Sequence, residues 1–245
     1  MNNNAIELEH VSKTFRIYQE KQDNLGDRIV NPFKKDRFSI LPILQDASFT
    51  IKKGEMFGII GRNGAGKTTL LRLIAKIYKP DSGNIRSFGT IISLLDLGIG
   101  FNNELTAKDN IILYGKILGL SGKEIKGKVV NILKFAELED FVETKLKNFS
   151  SGMFARLAFS TAMQVNPDIL LVDEVLSVGD ISFQQKSYQA FKSFREMNKT
   201  IVYVSHNLDS IKKLCDRVLV MNKGKIEFLG NPSEAVEKYL KISST

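Results

Sequence analysis

The chain has 245 residues with a formal net charge of +8, 43% hydrophobic and 25% charged residues, and a single cysteine. This length and composition suit one large α/β domain or two small ones. No apolar stretch approaches the roughly 18 residues that a membrane-spanning helix needs. One cysteine, Cys215, excludes an internal disulfide and a cysteine-built metal site, and we expect it to serve helix packing.

The N-terminal residues and the overall charge set broad expectations about location. Met1 to Asn4 are polar and lack the apolar core of a signal peptide, so we expect a cytoplasmic protein. A positive charge of this size can favour nucleic acid or an anionic membrane surface. Most of the excess is dispersed along the sequence, as in a basic soluble enzyme.

The chain opens with a predicted strand and an unusual polar segment. Residues 5–11 alternate apolar and polar side chains, which predicts a half-exposed strand with His10 facing solvent. Residues 19–42 are mostly polar, with a narrow apolar stripe of helical spacing. The stripe consists of Leu25, Ile29 and Phe33, and a basic cluster of Lys34, Lys35 and Arg37 follows it. Two interpretations stay open: a solvated surface loop, or an amphipathic element near a membrane surface or membrane partner.

The stretch from Gly61 to Thr69 fits the pattern G-x-x-x-x-G-K-[ST] of a phosphate-binding P-loop. An apolar strand over 56–60 precedes it, and a helical pattern starts at Leu70. Its glycines let successive N–H groups face a polyphosphate, and the helix N-terminus adds partial positive charge. Lys67 would neutralise β- and γ-phosphate oxygens, and the Thr68 hydroxyl would bind Mg²⁺.

The segments beyond the P-loop predict an α/β domain that contains a helical insertion. Apolar runs predict short strands over 83–89 and 91–95, and helical spacing predicts helices over 110–118, 123–136 and 151–165. Further strands are predicted over 168–174, 200–206, 216–221 and 225–230. A last helix is expected to begin at Pro232, with Asn231 as its cap.

Two strand ends carry side chains suited to phosphate chemistry. The apolar residues 169–172 lead into Asp173 and Glu174. In a P-loop fold, a strand-end aspartate holds Mg²⁺ directly or through water, and the adjacent glutamate can polarise the attacking water as a general base. His206 closes another buried strand, where an imidazole can contact the γ-phosphate or position that water.

The segment from Asn148 to Met153 lies directly before a predicted helix. Backbone N–H groups at a helix start can bind an oxyanion. Taken alone, the segment is a helix cap, with Ser150 or Ser151 as the N-cap.

Taken together, the P-loop, the Ser-Ser-Gly-Met segment, the Asp-Glu strand end and the late histidine resemble an ATP-binding-cassette (ABC) ATPase subunit over nearly the whole chain. The signature segment of that family is usually Leu-Ser-Gly-Gly-Gln, whereas Phe149 to Met153 reads Phe-Ser-Ser-Gly-Met. This form, followed by Phe154, resembles the branch whose ATPase subunits export bacterial O-antigen, capsule or teichoic-acid chains. The long segment 19–42 and residues 94–106 resemble that branch as well.

The resemblance implies an α/β fold: a P-loop NTPase core of the ABC ATPase type with an inserted helical subdomain and an antiparallel β region. The chain is expected to be a single domain. Its core would comprise residues 1–101 and 164–245, and its helical subdomain residues 102–163. The amphipathic and basic insertion would lie at 19–42.

By position, the resemblance also assigns residue roles. Asp173 would bind Mg²⁺ together with Thr68, Glu174 would activate water, and His206 and Lys67 would act on the γ-phosphate. The ATP-binding residues of the P-loop would be Gly61, Asn63, Gly64, Ala65, Gly66, Lys67, Thr68 and Thr69.

A second copy and an aromatic residue would complete the nucleotide site. The resemblance implies that Ser150, Ser151 and Gly152 close over ATP on the other subunit of a head-to-tail homodimer, with Asp180 in the contact loop. It also implies an aromatic that stacks on adenine. Phe15 is the candidate and Tyr18 the reserve, and packing is the alternative role for both.

One residue that ABC ATPases usually have is absent from this sequence. The family usually has a glutamine after the strand that ends near Leu95, where it touches Mg²⁺. Residues 94–104 contain none, and Asp96 or Asn102 is the possible substitute.

We therefore expect an ATP-hydrolysing subunit that powers polysaccharide or glycolipid export through a separate integral-membrane permease. It would lie on the cytoplasmic face of the cell membrane and bind no nucleic acid. The chain ends soon after its last helix, so we expect no added C-terminal carbohydrate-recognition domain. Alternatives are a transporter ATPase for a drug, lipid or nutrient, and a soluble ABC ATPase acting on nucleic acid or ribosomes.

Overall fold

The structure is a computed structural model that describes residues 3–20, 37–95, 97–173 and 180–243. Its strands are β1 (Asn4–Glu20), β2 (Arg37–Lys52), β3 (Met56–Gly61), β4 (Ser82–Ser87), β5 (Ile91–Ser93), β6 (Ile169–Asp173), β7 (Thr200–Val204), β8 (Arg217–Asn222) and β9 (Lys225–Gly230). Its α-helices are α1 (Lys67–Ile74), α2 (Ala107–Ile117), α3 (Gly122–Ala136), α4 (Ser151–Ala162), α5 (Ile181–Glu196), α6 (Leu208–Leu214) and α7 (Pro232–Ser243). Short 3₁₀ turns lie at Glu139–Phe141 and Leu146–Asn148.

A mixed central sheet determines where the functional residues lie. Its strand order is β5-β6-β7-β3-β8-β9. The pairs from β5 to β8 are parallel, with Met56 opposite Ile201, whereas β9 runs antiparallel to β8. Because parallel strands end at the same edge of a sheet, the segments that follow β3, β6 and β7 emerge side by side.

A second, antiparallel sheet of order β2-β1-β4 covers one face of the central sheet. The alternation along β3 explains this layering, because its side chains point to opposite faces in turn. Phe57 and Ile59 pack in the cluster that includes Ile6 and Phe49 of the second sheet. The Phe49 and Phe57 rings stack with centroids 5.5 Å apart. On the opposite face, Met56 and Ile60 pack in a cluster with residues of α4, α5, α6 and α7.

The three helices predicted between 110 and 165 are present as α2, α3 and α4, and they share a separate apolar cluster. Local capping fixes where they begin. Ser121 and Glu124 form a reciprocal capping box at the start of α3, and Thr106 caps α2. These caps satisfy N–H groups that the first turn leaves without partners.

The structure differs from the sequence expectations at three places. Residues 37–42, assigned to the polar insertion, belong to β2, where Phe38 pairs with Tyr18 and Ile40 with Arg16. The Tyr18 and Phe38 rings lie 5.8 Å apart, and such cross-strand aromatic contacts extend the hairpin. Helices α5 and α6 occupy segments for which the sequence pattern predicts no element. Positions 19 and 20 belong to β1, and residues 21–36, which include Leu25, Ile29, Phe33, Lys34 and Lys35, lie outside the described residues.

Several smaller expectations are confirmed. His10 is exposed, and its Nδ1 lies 2.8 Å from Asp46 Oδ1. Cys215 is buried directly after α6, where it packs against Gly58 of β3. None of the helices in the described ranges combines the length and the apolar character needed to cross a bilayer.

Candidate nucleotide-binding site

The P-loop connects β3 to α1 through backbone conformations that favour glycine. Gly64 and Gly66 have φ values of 78° and 102°, in the left-handed region. The turn is closed by a hydrogen bond of 3.1 Å from the Ala65 N–H to the Arg62 carbonyl. Gly66 is the N-cap of α1. No side chain within the described residues caps this end, and the first turn of the helix contains no acidic residue. The helix start is therefore suited to bind an external anion.

A cleft of about 500 Å³ lies above this loop, at the carboxyl edge of the central sheet. It contains P-loop residues together with Asp173 from the end of β6 and His206, which follows β7. The strand order places β7 between β3 and β6, so the carboxyl ends of these three strands meet here. The residues that line the cleft are Ile43, Asn63, Gly64, Ala65, Gly66, Lys67, Thr68, Thr69, Asp173 and His206.

The polar groups of the cleft suit a polyphosphate with a hard cation. Lys67 is buried, and its ammonium donates hydrogen bonds of 2.7 Å and 3.2 Å to the carbonyls of Gly61 and Arg62. The Thr68 hydroxyl lies 3.1 Å from Asp173 Oδ2. Hydroxyl and carboxylate oxygens are ligands that Mg²⁺ accepts, and this ion usually completes its shell with water and substrate phosphates. The pair therefore fits a magnesium ion that arrives with a nucleotide.

Ile43 is a cleft residue that sequence reasoning missed. Lys13 pairs with Leu44 and Thr14 with Pro42, so Ile43 is the extra residue of a β-bulge in β2. Its carbonyl oxygen would lie 2.5 Å from a Cβ added to Gly66. The bulge thus presses the hairpin of β1 and β2 onto the P-loop. Pro42 before an apolar run was the available signal, but the sequence does not show what the bulge contacts.

Phe15 lies beside the cleft rather than in its lining. It pairs with Leu41, two residues from Ile43, or about 7 Å along the strand. Tyr18 points to the opposite face of the hairpin, because the two positions are three residues apart. Tyr18 is 45% exposed and contacts Phe38. The geometry therefore favours Phe15 over Tyr18 as the aromatic that a bound nucleotide could reach.

The predicted signature residues lie at the start of α4, away from the cleft of their own chain. Ser150 is the N-cap, and its hydroxyl accepts a hydrogen bond of 3.2 Å from the Met153 N–H. Ser151 begins the helix, and a Cβ added to Gly152 would meet nothing nearer than the Ser150 hydroxyl at 3.9 Å. A ligand can therefore approach this helix start closely, but the fold does not bring it to the same chain's P-loop.

The remaining predicted site residues have the following places. Asp180 is exposed and caps α5 by accepting a hydrogen bond of 2.9 Å from the Phe183 N–H. Asn102 accepts one of 2.9 Å from the Glu104 N–H and shapes a local turn outside the cleft. Glu174 and Asp96 lie outside the described residues.

Similarity to known proteins identifies the family of this chain. A profile described as "ABC transporter" matches residues 44–177. The chain belongs to the ABC transporter family.

Curated ABC relatives align over nearly the full chain. The O-antigen export system ATP-binding protein RfbB of Klebsiella pneumoniae is 41% identical over 240 residues, 96% of this chain and 97% of the relative. The ABC transporter protein AbcA of Aeromonas salmonicida is 40% identical, covering 99% of this chain and 78% of its own length. The teichoic acids export ATP-binding protein TagH of Staphylococcus haemolyticus is 37% identical, covering 96% and 88%.

Solved ABC structures share the fold. An ATP-binding cassette solved as a dimer in a post-hydrolysis state with ADP and Pi has a TM-score of 0.73 at 25% identity, over 93% of this chain and 98% of that chain. An ATP-binding subunit of an ABC transporter has a TM-score of 0.77 at 19% identity, over 98% and 99%. The predicted α/β fold of the ABC ATPase type is confirmed, and family membership supports ATP binding and hydrolysis by this chain.

Proposed function

We propose that this chain is the ATP-hydrolysing subunit of an ABC transporter that exports a surface polysaccharide or glycolipid through a separate integral-membrane permease. The observation that carries the proposal is similarity of 37–41% identity, over nearly the whole chain, to subunits named for O-antigen and teichoic-acid export. We further propose that the subunit is a peripheral protein on the cytoplasmic face of the cell membrane.

Within this function, each group of cleft residues would have its own role in ATP hydrolysis. The P-loop N–H groups and the Lys67 ammonium would bind and neutralise the β- and γ-phosphates. Thr68 and Asp173 would hold Mg²⁺, which supplies charge neutralisation on the transferred phosphoryl group. His206 would contact the γ-phosphate, and Glu174 would take a proton from the attacking water.

The separation of the signature residues from the P-loop supports a two-copy site. Ser150, Ser151 and Gly152 present an open helix start that would cover ATP bound to the other subunit of a head-to-tail homodimer. Asp180, at the start of α5, would lie in the dimer contact. ATP would hold the two copies together, and hydrolysis would release them.

We also propose that the chain consists of two structural parts. Residues 1–101 and 164–245 would form the nucleotide-binding core, and 102–163 a helical subdomain. The basic cluster of Lys34, Lys35 and Arg37 would act in the membrane-bound complex.

Glu174→Gln tests the ATPase half of the proposal. The variant keeps the size of the side chain but removes the base, so we expect normal ATP affinity, no turnover, and an ATP-dependent dimer in size-exclusion chromatography. A monomeric variant with normal hydrolysis would contradict the assignment of the base.

Export is tested in cells that lack the chromosomal copy. We expect wild type to restore surface glycan and co-purify with a polysaccharide export permease, whereas Lys67→Ala should co-purify without restoring export. Neutralising the basic cluster should impair export more than the ATPase rate of the isolated subunit. Co-purification with the machinery of nutrient uptake would refute the cargo class.

A further inference from the structure

The turn that follows α1 is fastened back onto that helix. The N–H groups of Ile77 and Tyr78 donate hydrogen bonds of 2.9 Å and 3.1 Å to the Arg72 carbonyl. The Arg72 guanidinium donates a hydrogen bond of 3.3 Å to the Tyr78 hydroxyl and lies 5.8 Å from the centre of its ring. Tyr78 is therefore held by the same helix whose first residue, Lys67, belongs to the P-loop.

Tyr78 in turn contacts Phe15. The two ring centroids lie 5.5 Å apart with an interplanar angle of 72°, an edge-to-face geometry that aromatic pairs prefer. This contact restricts the rotation of the Phe15 ring.

Asp81 fixes the two residues that precede Phe15. Its carboxylate accepts hydrogen bonds of 2.7 Å from the Lys13 ammonium and of 2.7 Å and 2.8 Å from the Thr14 N–H and hydroxyl. The Lys13 ammonium also lies 5.6 Å from the centre of the Phe15 ring. Hydrogen bonding by Lys13, and then by Thr14, lowers the pKa of Asp81 to about 2, so the carboxylate is ionised at neutral pH.

These contacts form a continuous connection from the P-loop to the candidate base-stacking ring. The helix α1 begins at the phosphate-binding loop. Beyond its far end, Tyr78 contacts the Phe15 ring, and Asp81 binds the two residues that precede Phe15. Base and phosphates of one nucleotide would therefore meet surfaces that are connected through one helix and its following turn, in addition to the bulge at Ile43.

We infer that Tyr78 and Asp81 are positioning residues, which hold the Phe15 ring at the distance and tilt that an adenine base needs once its phosphates occupy the P-loop. The inference deepens the proposed function and rests on it, because it requires a nucleotide in this cleft. It predicts that these two side chains affect binding of the base and leave binding of the phosphates unchanged.

Comparing ATP with inorganic tripolyphosphate separates the two contributions. Dissociation constants for both ligands are measured by calorimetry on the full chain. Phe15→Ala sets the scale: loss of a base-stacking partner should weaken ATP binding by about tenfold. Tyr78→Leu and Asp81→Asn should each weaken it by about threefold or more. All three variants should bind tripolyphosphate as wild type does.

A control tests whether any lost ion pair on β1 has the same effect. Glu9 lies on the same strand, and its carboxylate accepts a hydrogen bond of 2.6 Å from Arg86. Glu9→Gln should bind both ligands as wild type does. Lys13→Met provides a second route to the same result if Asp81→Asn lowers the melting temperature.

The outcomes are distinct. Unchanged ATP affinity in Tyr78→Leu and Asp81→Asn, or an equal loss for both ligands, would overturn the positioning role. Unchanged ATP affinity in Phe15→Ala would overturn it too. Lys67→Ala should weaken both ligands in every background; a wild-type protein that binds neither would overturn the proposed function itself and the inference with it.

Discussion

The hydroxyl oxygen of Thr68 lies 3.1 Å from a carboxylate oxygen of Asp173. The two side chains come from different elements, the first turn of α1 and the last residue of β6. They meet because β6 and β3 flank β7 in a parallel sheet. In the proposed function, these two side chains would hold the divalent cation that accompanies the nucleotide.

Replacing Asp173 by asparagine should therefore separate metal-dependent from metal-independent binding. The amide keeps the shape but removes the negative charge, so we expect Mg²⁺-dependent hydrolysis to fall by about 100-fold or more. ATP affinity in excess chelator should be unchanged. Steady-state hydrolysis across a magnesium titration and calorimetry in chelator measure the two effects. Asp209→Asn, an exposed acid in α6, is the control and should keep wild-type activity.

Gly66 should not tolerate a methyl group. Its φ of 102° strains any L side chain, and an added Cβ would lie 2.5 Å from the Ile43 carbonyl oxygen. We expect Gly66→Ala to lose about 1–3 kcal/mol of stability and most of its ATP affinity, because the bulge must move off the P-loop. Gly127→Ala is the matched control, since no atom of the residues that the structure describes lies within 4 Å of its added Cβ.

The control substitution Gly127→Ala should increase stability, whereas Gly66→Ala should decrease it. Gly127 lies inside α3, where alanine is favoured over glycine by about 0.5–1 kcal/mol. Urea unfolding measures the free energy of unfolding of Gly66→Ala and of Gly127→Ala. Equal destabilisation by the two substitutions would show that Gly66 is under no special constraint.

Cys215 should be inert in the folded protein. Burial, and then the neighbouring Asp216, raise the pKa of its thiol to about 12. Thiolate is the reactive species, so a colorimetric disulfide reagent at neutral pH should label the native protein only through unfolding. In denaturant, one thiol per chain should react. Rapid labelling under native conditions would contradict the packing of this residue against Gly58.

Asp81 should make a pH-dependent contribution to stability. Its pKa is lowered from 3.8 to about 2, chiefly by the hydrogen bond from Lys13, so the native state favours the ionised form. The contribution is fully present above the unfolded-state pKa of about 3.9, and it disappears as pH falls through the folded-state value. The difference in unfolding free energy between wild type and Asp81→Asn should therefore be constant above pH ~5 and shrink between pH ~4 and ~2.

Urea titrations at a series of pH values measure that difference. If the difference in unfolding free energy does not shrink as the pH falls to ~2, Asp81 contributes through its shape rather than its charge.

The predicted residues that the structure brings together in the cleft share one property: their signal in the sequence is local. The P-loop glycines, the strand that ends at Asp173 and the strand before His206 each carry their own pattern of spacing. The local signal at Ile43, Pro42 before an apolar run, does not reveal its role, because that role depends on a bulge against Gly66 and on contact with Gly224, far along the chain. A register shift of that kind is decided by tertiary packing.

The sequence pattern missed helices α5 and α6 for different physical reasons. Helix α6 has only seven residues, too few to give a periodic pattern. Helix α5 is largely polar, and its buried aromatic residues are Phe183, Phe191 and Phe194. Tertiary contact with Phe159 of α4 compensates for this weak apolar stripe.

The pairing of β3 has a consequence for how the chain folds during synthesis. The strand that carries the P-loop lies near the start of the sequence, yet its neighbours are β7 and β8, with Phe57 opposite Val202 and Arg217. Nearly all of the chain must leave the ribosome before this strand gains either partner. Long-range pairing of this kind is slow and leaves apolar edges exposed. A nascent chain stalled before β7 should therefore hold its antiparallel sheet and be unable to retain ATP.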